Sequence, residues 1–430
     1  MSLAENVEYL RRLRELNGIT GFGDFHGQPR PVPDSPLIEI ERFGSNPGKL
    51  KMFSYVPAQR QPLLPLVVVL HGCGQSAAEY DLGAGWSTLA KHYGFALLLP
   101  EQQRANNAQR CFNWFQSEDI ARDEGEIGSI RQMIARMVAD RAIDPRRIFV
   151  TGLSAGGAMT MAMLSAYPEL FAAGAVIAGL PFGVAQNVRD ALMQMRIPSP
   201  RDGHELGNLV RRASSFRGRW PRLSVWHGTA DRTVHPDNAD EIVKQWLDLH
   251  HLPLGPMAES DVDGYPRQVW WNDDGETMVE SFAITDMAHG TPLGVAENDK
   301  RYGKQGPFLI DAGISSSYHI AKFFGVTDWI RQPKPAAESP SAKLIPLVSP
   351  ITSALPSLSK ILWPKSAEPK PADAKPTDAK TADLKADHVK AADAKSADSE
   401  PAEPKREARR APIDVAAVIE RALQAAGLKK

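Results

Sequence analysis

The chain has 430 residues, 43% of them hydrophobic, and a formal net charge of −1. That length allows one large domain plus additional segments, and the near-zero charge supplies no field that would select nucleic acid or an anionic membrane surface. No run approaches the roughly 20 uninterrupted apolar residues of a membrane-spanning helix, and two cysteines, Cys73 and Cys111, are too few for a disulfide scaffold or a four-ligand zinc site.

Residues 1–36 read as a lead-in that begins with an amphipathic helix, with Leu3, Val7, Leu10 and Leu13 on one face. Charged residues stand where an export signal would have its apolar core, so the expected location is cytoplasmic, with two free, part-buried thiols as the default. Two alternating runs, 37–43 and 50–56, flank Asn46-Pro47-Gly48 and predict an edge hairpin. Leu66-Val67-Val68-Val69-Leu70 is unbroken by any polar residue, as expected of a strand buried on both faces of a parallel sheet. The Gly-rich loop His71-Gly72-Cys73-Gly74-Gln75-Ser76 follows it.

A helix is expected over 82–92, a second buried strand over 95–100 stopped by Pro100, and a polar loop before Cys111-Phe112-Asn113-Trp114-Phe115. Ile127, Ile130, Ile134 and Val138 give 123–140 a helical period. A strand over 147–151 then runs into Gly152-Leu153-Ser154-Ala155-Gly156, and an Ala/Met/Leu-rich helix leaves it. Strands are expected over 171–178 and 223–226, separated by an irregular segment, 179–219, that could cap a site. A hairpin over 268–271 and 278–284 turns at Asn272-Asp273-Asp274-Gly275, and a helix over 315–324 closes the domain.

Alternating strands and helices with short connections predict a mostly parallel, doubly wound α/β domain over 37–330. Residues 331–411 change character, with lysine every five residues from Lys370 to Lys395, and read as a flexible linker. Residues 412–430, with Pro412 near the start and Gly427 near the end, read as a short amphipathic helix, either a docking element for a granule or a protein or a weak helix that folds only at high concentration.

A G-x-S-x-G between strand and helix lifts its serine above the sheet, which makes Ser154 a candidate nucleophile. A serine hydroxyl needs a base, and a histidine serves when a carboxylate orients it. Asp231, in His227-Gly228-Thr229-Ala230-Asp231, and His289, in Met287-Ala288-His289-Gly290-Thr291-Pro292, each follow a strand in the required order. Asp237 and Asp240 follow Pro236 and read as helix caps, Asp286 as a loop cap, and His227, His235 and His319 as structural or surface histidines. The amides of Ala155 and of the His71 loop, at Cys73, are the candidate oxyanion donors. The chemistry calls for no cofactor and no metal.

Five stretches, at His71-Gly72-Cys73-Gly74-Gln75, Cys111–Phe115, Gly152–Met159, His227–Asp231 and His289–Pro292, together resemble the polyhydroxybutyrate depolymerase family of esterases. That family is similar in fold to feruloyl and acetylxylan esterases, and many of its members are secreted. The resemblance implies an α/β-hydrolase fold and ester hydrolysis through an acyl-enzyme, with Ser154 as nucleophile, Asp231 as orienting acid and His289 as base. It also places His71, Gly72, Gln75 and Trp114 beside the substrate. Cys73 and Cys111 are expected to meet beside the site, as a disulfide if the compartment oxidises them. The implied substrates are polyhydroxybutyrate, hydroxyalkanoate oligomers or related short esters. Feruloyl or acetyl esters of plant polysaccharide are the alternative, and a non-enzymatic granule- or partner-binding role through the tail is the third reading.

Overall fold

The computed structural model describes residues 35–58 and 63–327. The helix expected in 1–36, the linker over 331–411, and the terminal helix over 412–430 with its docking role lie outside those residues.

The apolar run at 66–70 sits in β3 (Leu64–Leu70), where every residue is buried. Leu66, Val68 and Leu70 enter one hydrophobic core with Val150 and Met159. Val67 and Val69 enter a second core with Trp86, Phe95 and Phe149. A strand with apolar side chains in both directions needs a layer on each face, and the helices supply both. Around β3 stand β1 (Ile38–Glu39), β2 (Lys51–Tyr55), β4 (Ala96–Glu101), β5 (Ile143–Leu153), β6 (Ala173–Ile177), β7 (Arg222–Gly228), β8 (Ala258–Val262), β9 (Tyr265–Trp271) and β10 (Thr277–Ile284). They form one ten-stranded sheet in the order β1-β2-β4-β3-β5-β6-β7-β10-β9-β8. The six strands from β4 to β10 in that order are parallel, and antiparallel pairs finish both edges.

The helices are α1 (Ala77–Ala84), α2 (Trp86–Tyr93), α3 (Ser117–Ile120), α4 (Gly125–Asp140), α5 (Ala155–Ala166), α6 (Val188–Arg196), α7 (Gly203–Arg211), α8 (Asp237–His250) and α9 (Ser316–Phe323). Among the described residues no helix is long and apolar enough to cross a membrane. A short parallel pair, β11 (Thr291–Leu293) and β12 (Leu309–Asp311), lies apart from the main sheet.

Several elements differ from expectation for local reasons. The helix expected over 82–92 is two helices broken at Gly85, whose φ of 80° is left-handed and whose added Cβ would lie 2.3 Å from the Gly303 nitrogen. Strand β4 runs through Pro100 to Glu101, because its ladder with β3 ends at Leu98 and a missing N–H is tolerated where only β2 pairs. The irregular segment over 179–219 contains α6 and α7, started by Asn187 and Asp202 side chains that accept from backbone amides. Both dock by hydrogen bonds: His235 N donates to Met195 O at the end of α6, and Gln245 Nε2 of α8 to Leu206 O in α7. Asp237 and Asp240 lie inside the first turn of α8 and make no cap hydrogen bond, so their contribution is charge at a helix N-terminus. Strand β8 is mostly exposed and carries no apolar alternation to reveal it.

The turn from β5 into α5 depends on two glycines. An added Cβ at Gly152 would lie 2.4 Å from Gly156 O, and one at Gly156 would lie 2.4 Å from Leu70 O. Helix and strand therefore approach more closely than any side chain permits. Nearby, Cys73 and Cys111 are joined in a disulfide across a separation of 38 residues, as the resemblance implied and not as the free thiols that composition alone suggested. The bond ties the loop after β3 to the segment after β4.

Two outcomes are expected from stability measurements. Gly156→Ala, which presses a methyl group into backbone oxygens, should cost about 1–3 kcal/mol, read as a lower thermal unfolding midpoint. Replacing both cysteines by serine frees the loop they close and should cost about 2–4 kcal/mol, whereas the parent protein should show that loss only with reductant present.

Candidate active site

Ser154 stands between the last residue of β5 and the first of α5 with φ 58° and ψ −118°. A non-glycine residue with that backbone is strained, and two hydrogen bonds hold it: Ser154 N donates to Ile177 O, and Ala158 N donates to Ser154 O, both at 2.9 Å. The strain aims the hydroxyl out of the sheet. Its oxygen lies 2.9 Å from His289 Nε2, and His289 Nδ1 lies 2.6 Å from Asp231 Oδ2. Ser154 is 8% exposed and His289 9%, so the pair sits just below the surface.

The carboxylate is held by backbone and side chains together. Asp231 Oδ1 accepts from Thr233 N at 2.8 Å and Val234 N at 2.9 Å. Oδ2 accepts from His289 and lies 3.2 Å from His227 Nε2. Burial pushes the Asp231 carboxyl upward, but interactions with His227 and His289 outweigh it and hold the group well below the usual carboxylate range. An ionised Asp231 makes His289 Nδ1 the donor and leaves Nε2 able to take the Ser154 proton. A hydroxyl so placed can lose its proton as it attacks a carbonyl carbon.

The loop after β3 is built from its own polar groups. His71 donates through Nδ1 to Gly72 O at 2.8 Å and accepts through Nε2 from Gln102 N at 3.0 Å. Burial pushes its pKa down to about 4, against the raising effect of the Gly72 bond, so the ring is neutral and structural in its contacts. Gln75 accepts from Gly72 N and donates to Pro307 O, while Gly74 N donates to Gln109 O at 2.7 Å. Trp114 is buried and meets Phe115 edge-on at 5.5 Å. His71, Gly72 and Gln75 thus spend these polar atoms on fixing the loop to itself, to Gln102 and to Pro307.

Two neighbours of the relay were given no part in it by sequence pattern. His227, read as a structural or surface histidine, touches Asp231 directly. Phe308 meets His289 edge-on with ring centroids 5.8 Å apart, is 36% exposed, and has φ 61°. Its carbonyl accepts from Thr291 N at 2.8 Å. No motif or period marks it; only the β11–β12 pairing brings it to the site. His235 pairs with Asp237 and His319 with Asp263. Among the described residues no group of three or more His, Cys, Asp or Glu is arranged to hold a metal ion.

The family model described as Esterase PHB depolymerase matches residues 52–254, which include Ser154 and Asp231 and end before His289. The chain is 41% identical over 291 residues to poly(3-hydroxyalkanoate) depolymerase C of Paucimonas lemoignei, covering 67% of this chain and 70% of that one. It is 33% identical to an acetylxylan esterase of Coprinopsis cinerea, covering 62% of this chain and 72% of that one. Among solved structures, the acetyl xylan esterase of Aspergillus awamori has the same fold, with a TM-score of 0.57 at 22% identity over 67% of this chain and 99% of that one. The chain therefore belongs to the PHB depolymerase family of esterases, has the α/β-hydrolase fold, and is a carboxylic-ester hydrolase.

Proposed function

We propose that the chain cleaves hydroxyalkanoate esters, as oligomer or polymer, through a serine acyl-enzyme, with Ser154 as nucleophile, His289 as general base and Asp231 as its orienting acid. The observation that carries this reading is the continuous relay from Ser154 Oγ through both nitrogens of His289 to Asp231 Oδ2, at 2.9 and 2.6 Å. In the first half-reaction Ser154 Oγ bonds to the ester carbonyl carbon while its proton passes to His289 Nε2. The tetrahedral intermediate collapses as the C–O bond to the alcohol breaks, and His289 returns the proton to the departing oxygen. Water then repeats the sequence on the acyl-serine, releasing the acid and restoring Ser154.

Cys73 and Ala155 are the proposed oxyanion donors through their amides. Their neighbours are committed elsewhere: Gly72 N to Gln75 Oε1, Gly74 N to Gln109 O, and Ser154 N to Ile177 O. The disulfide and the Gln75 bridge then keep the Cys73 amide in place. Donors fixed in advance spend no energy on reorganising when charge develops on the carbonyl oxygen, which is why they lower the barrier to acyl transfer so strongly. His71, Gly72, Gln75 and Trp114 are proposed to shape the substrate cleft, the first three by fixing the loop.

The relative with 41% identity is named for poly(3-hydroxyalkanoate), which supports that acyl class. Acetyl or feruloyl esters of polysaccharide form the second reading, favoured by the acetylxylan esterase at 33% identity. On a panel of 3-hydroxybutyrate oligomers, acetylated xylan and methyl ferulate, the highest kcat/KM is expected on the oligomers; a clear preference for either of the others would assign the second reading.

Ser154→Ala should lower kcat on p-nitrophenyl esters by at least about 10⁴-fold with the fold intact. Asp231→Asn should cost about 10⁴-fold by leaving His289 in the wrong tautomer. Because Asp231 is held far below the carboxylate range, it stays ionised as the pH falls. The acid limb of kcat/KM should therefore follow a single protonation, that of His289, and a two-proton slope would contradict the assignment.

A further inference from the structure

We propose that His227 is a positioning residue for the reaction, acting on His289 through the carboxylate they share; the inference rests on the Ser154–His289–Asp231 reading. His227 lies near the end of β7 and is 3% exposed. Its Nε2 is 2.9 Å from Val234 O and 3.2 Å from Asp231 Oδ2. Both partners are acceptors, so this nitrogen carries the proton and shares it between them. The other nitrogen, Nδ1, is then bare, and it is buried without a hydrogen-bond partner.

That arrangement is poor for a residue that only fills space, since an apolar ring would leave no orphaned nitrogen. The remaining N–H is held by Val234 O, and that bond keeps the nitrogen 3.2 Å from one oxygen of the acid. Asp231 Oδ2 is the oxygen that receives His289 Nδ1, and the Asp231 side chain has no solvent exposure. Its other oxygen is fixed by Thr233 N and Val234 N. Oδ1 thus has two backbone donors, while Oδ2 has His289 as donor and His227 Nε2 beside it at 3.2 Å, so the carboxylate cannot turn without losing several contacts at once. Val234 O, which takes the rest of the His227 proton, belongs to the same turn.

Two consequences follow for His289. The carboxylate plane stays aimed at Nδ1, which holds the imidazole towards Ser154. The second donor also drains charge from Oδ2, so Asp231 pulls less strongly on the His289 proton and the base returns it more readily to the leaving alcohol. Asp231 and, from α8, Asp240 are charged groups that interact with His227, and His289 meets it through Asp231. The motif His227-Gly228-Thr229-Ala230-Asp231 thereby has a physical reason at both ends. The histidine reaches forward four residues to the acid, and Gly228 lets the turn pass under Met287, whose carbonyl an added Cβ would meet at 2.2 Å.

The test compares His227→Gln, whose amide N–H reaches the position of Nε2, with His227→Phe and His227→Asn, which leave that position without a donor. Steady-state hydrolysis of a p-nitrophenyl ester is followed against pH, with thermal melts to confirm folding and Ser154→Ala as control. His227→Phe is expected to lower kcat about ten- to a hundredfold with KM near the parent value. Its acid limb should move to higher pH, because a carboxylate that has lost one donor stabilises the protonated His289 more. His227→Asn should follow it, which keeps the test open if the phenylalanine variant does not fold, and His227→Gln should recover most of both effects. A folded His227→Phe or His227→Asn with the parent kcat and an unmoved acid limb would overturn the proposal, as would a glutamine variant no better than they are. Full activity in Ser154→Ala would instead overturn the relay itself.

Discussion

The site depends on one strained residue. Ser154 holds φ 58°, a conformation that costs on the order of 1–3 kcal/mol and persists only where its surroundings over-determine it. Those surroundings are the sheet itself: β5 is paired to β3 on one side and β6 on the other, and Ile177 at the end of β6 receives the Ser154 amide. Gly152 and Gly156 let α5 start directly over the end of β3. A turn this tight, anchored in the middle of a parallel sheet, projects its side chain where the strand ends converge. The loop after β3, the Asp231 turn after β7 and the His289 loop after β10 reach the same edge because those strands run parallel to β5.

Electrostatics complete what the backbone begins. Asp231 is enclosed, yet ionised, because three donors and the nearby His227 Nε2 replace the water it has lost. His289 gains a fixed orientation from that carboxylate. His71 faces no carboxylate. It is a neutral ring locked between Gly72 O and Gln102 N, and it ties the end of β4 to the loop that carries Cys73. Two buried histidines therefore do different jobs at one edge of the sheet, and the difference lies wholly in their partners.

Support reaches the cleft from both sides. The disulfide between Cys73 and Cys111 and the contact from Gly74 to Gln109 brace the proposed oxyanion loop against the segment after β4. Gln75 bridges it to Pro307, next to Phe308, whose ring stands against His289. A family that includes relatives named for polyester and for xylan ester cleavage can keep this braced centre while the surfaces around it vary.

The fold and the relay were largely legible in the chain, and the losses have identifiable causes. Continuous apolar runs such as 66–70 announce strands buried on both faces, and the pattern survives because burial leaves no choice of residue. Ser154, Asp231 and His289 could be found because each follows a stretch that reads as a strand, in the order expected of a doubly wound hydrolase. The break at Gly85 was hidden because its cause, the approach of Gly303, lies more than two hundred residues away. Strand β8 was hidden because an exposed edge imposes no apolar period, and Phe308 because only the β11–β12 pairing carries it to the site. His227 stood within a recognised motif, but whether a histidine packs or works depends on what its nitrogens touch. The sequence by itself determined the layered sheet, the serine turn and the order of the three polar residues, since these follow from local patterning. The His227 contact with Asp231 and the Phe308 ring beside His289 were decided only by tertiary structure, because each joins atoms that chain order keeps apart or whose orientation no pattern of residues specifies.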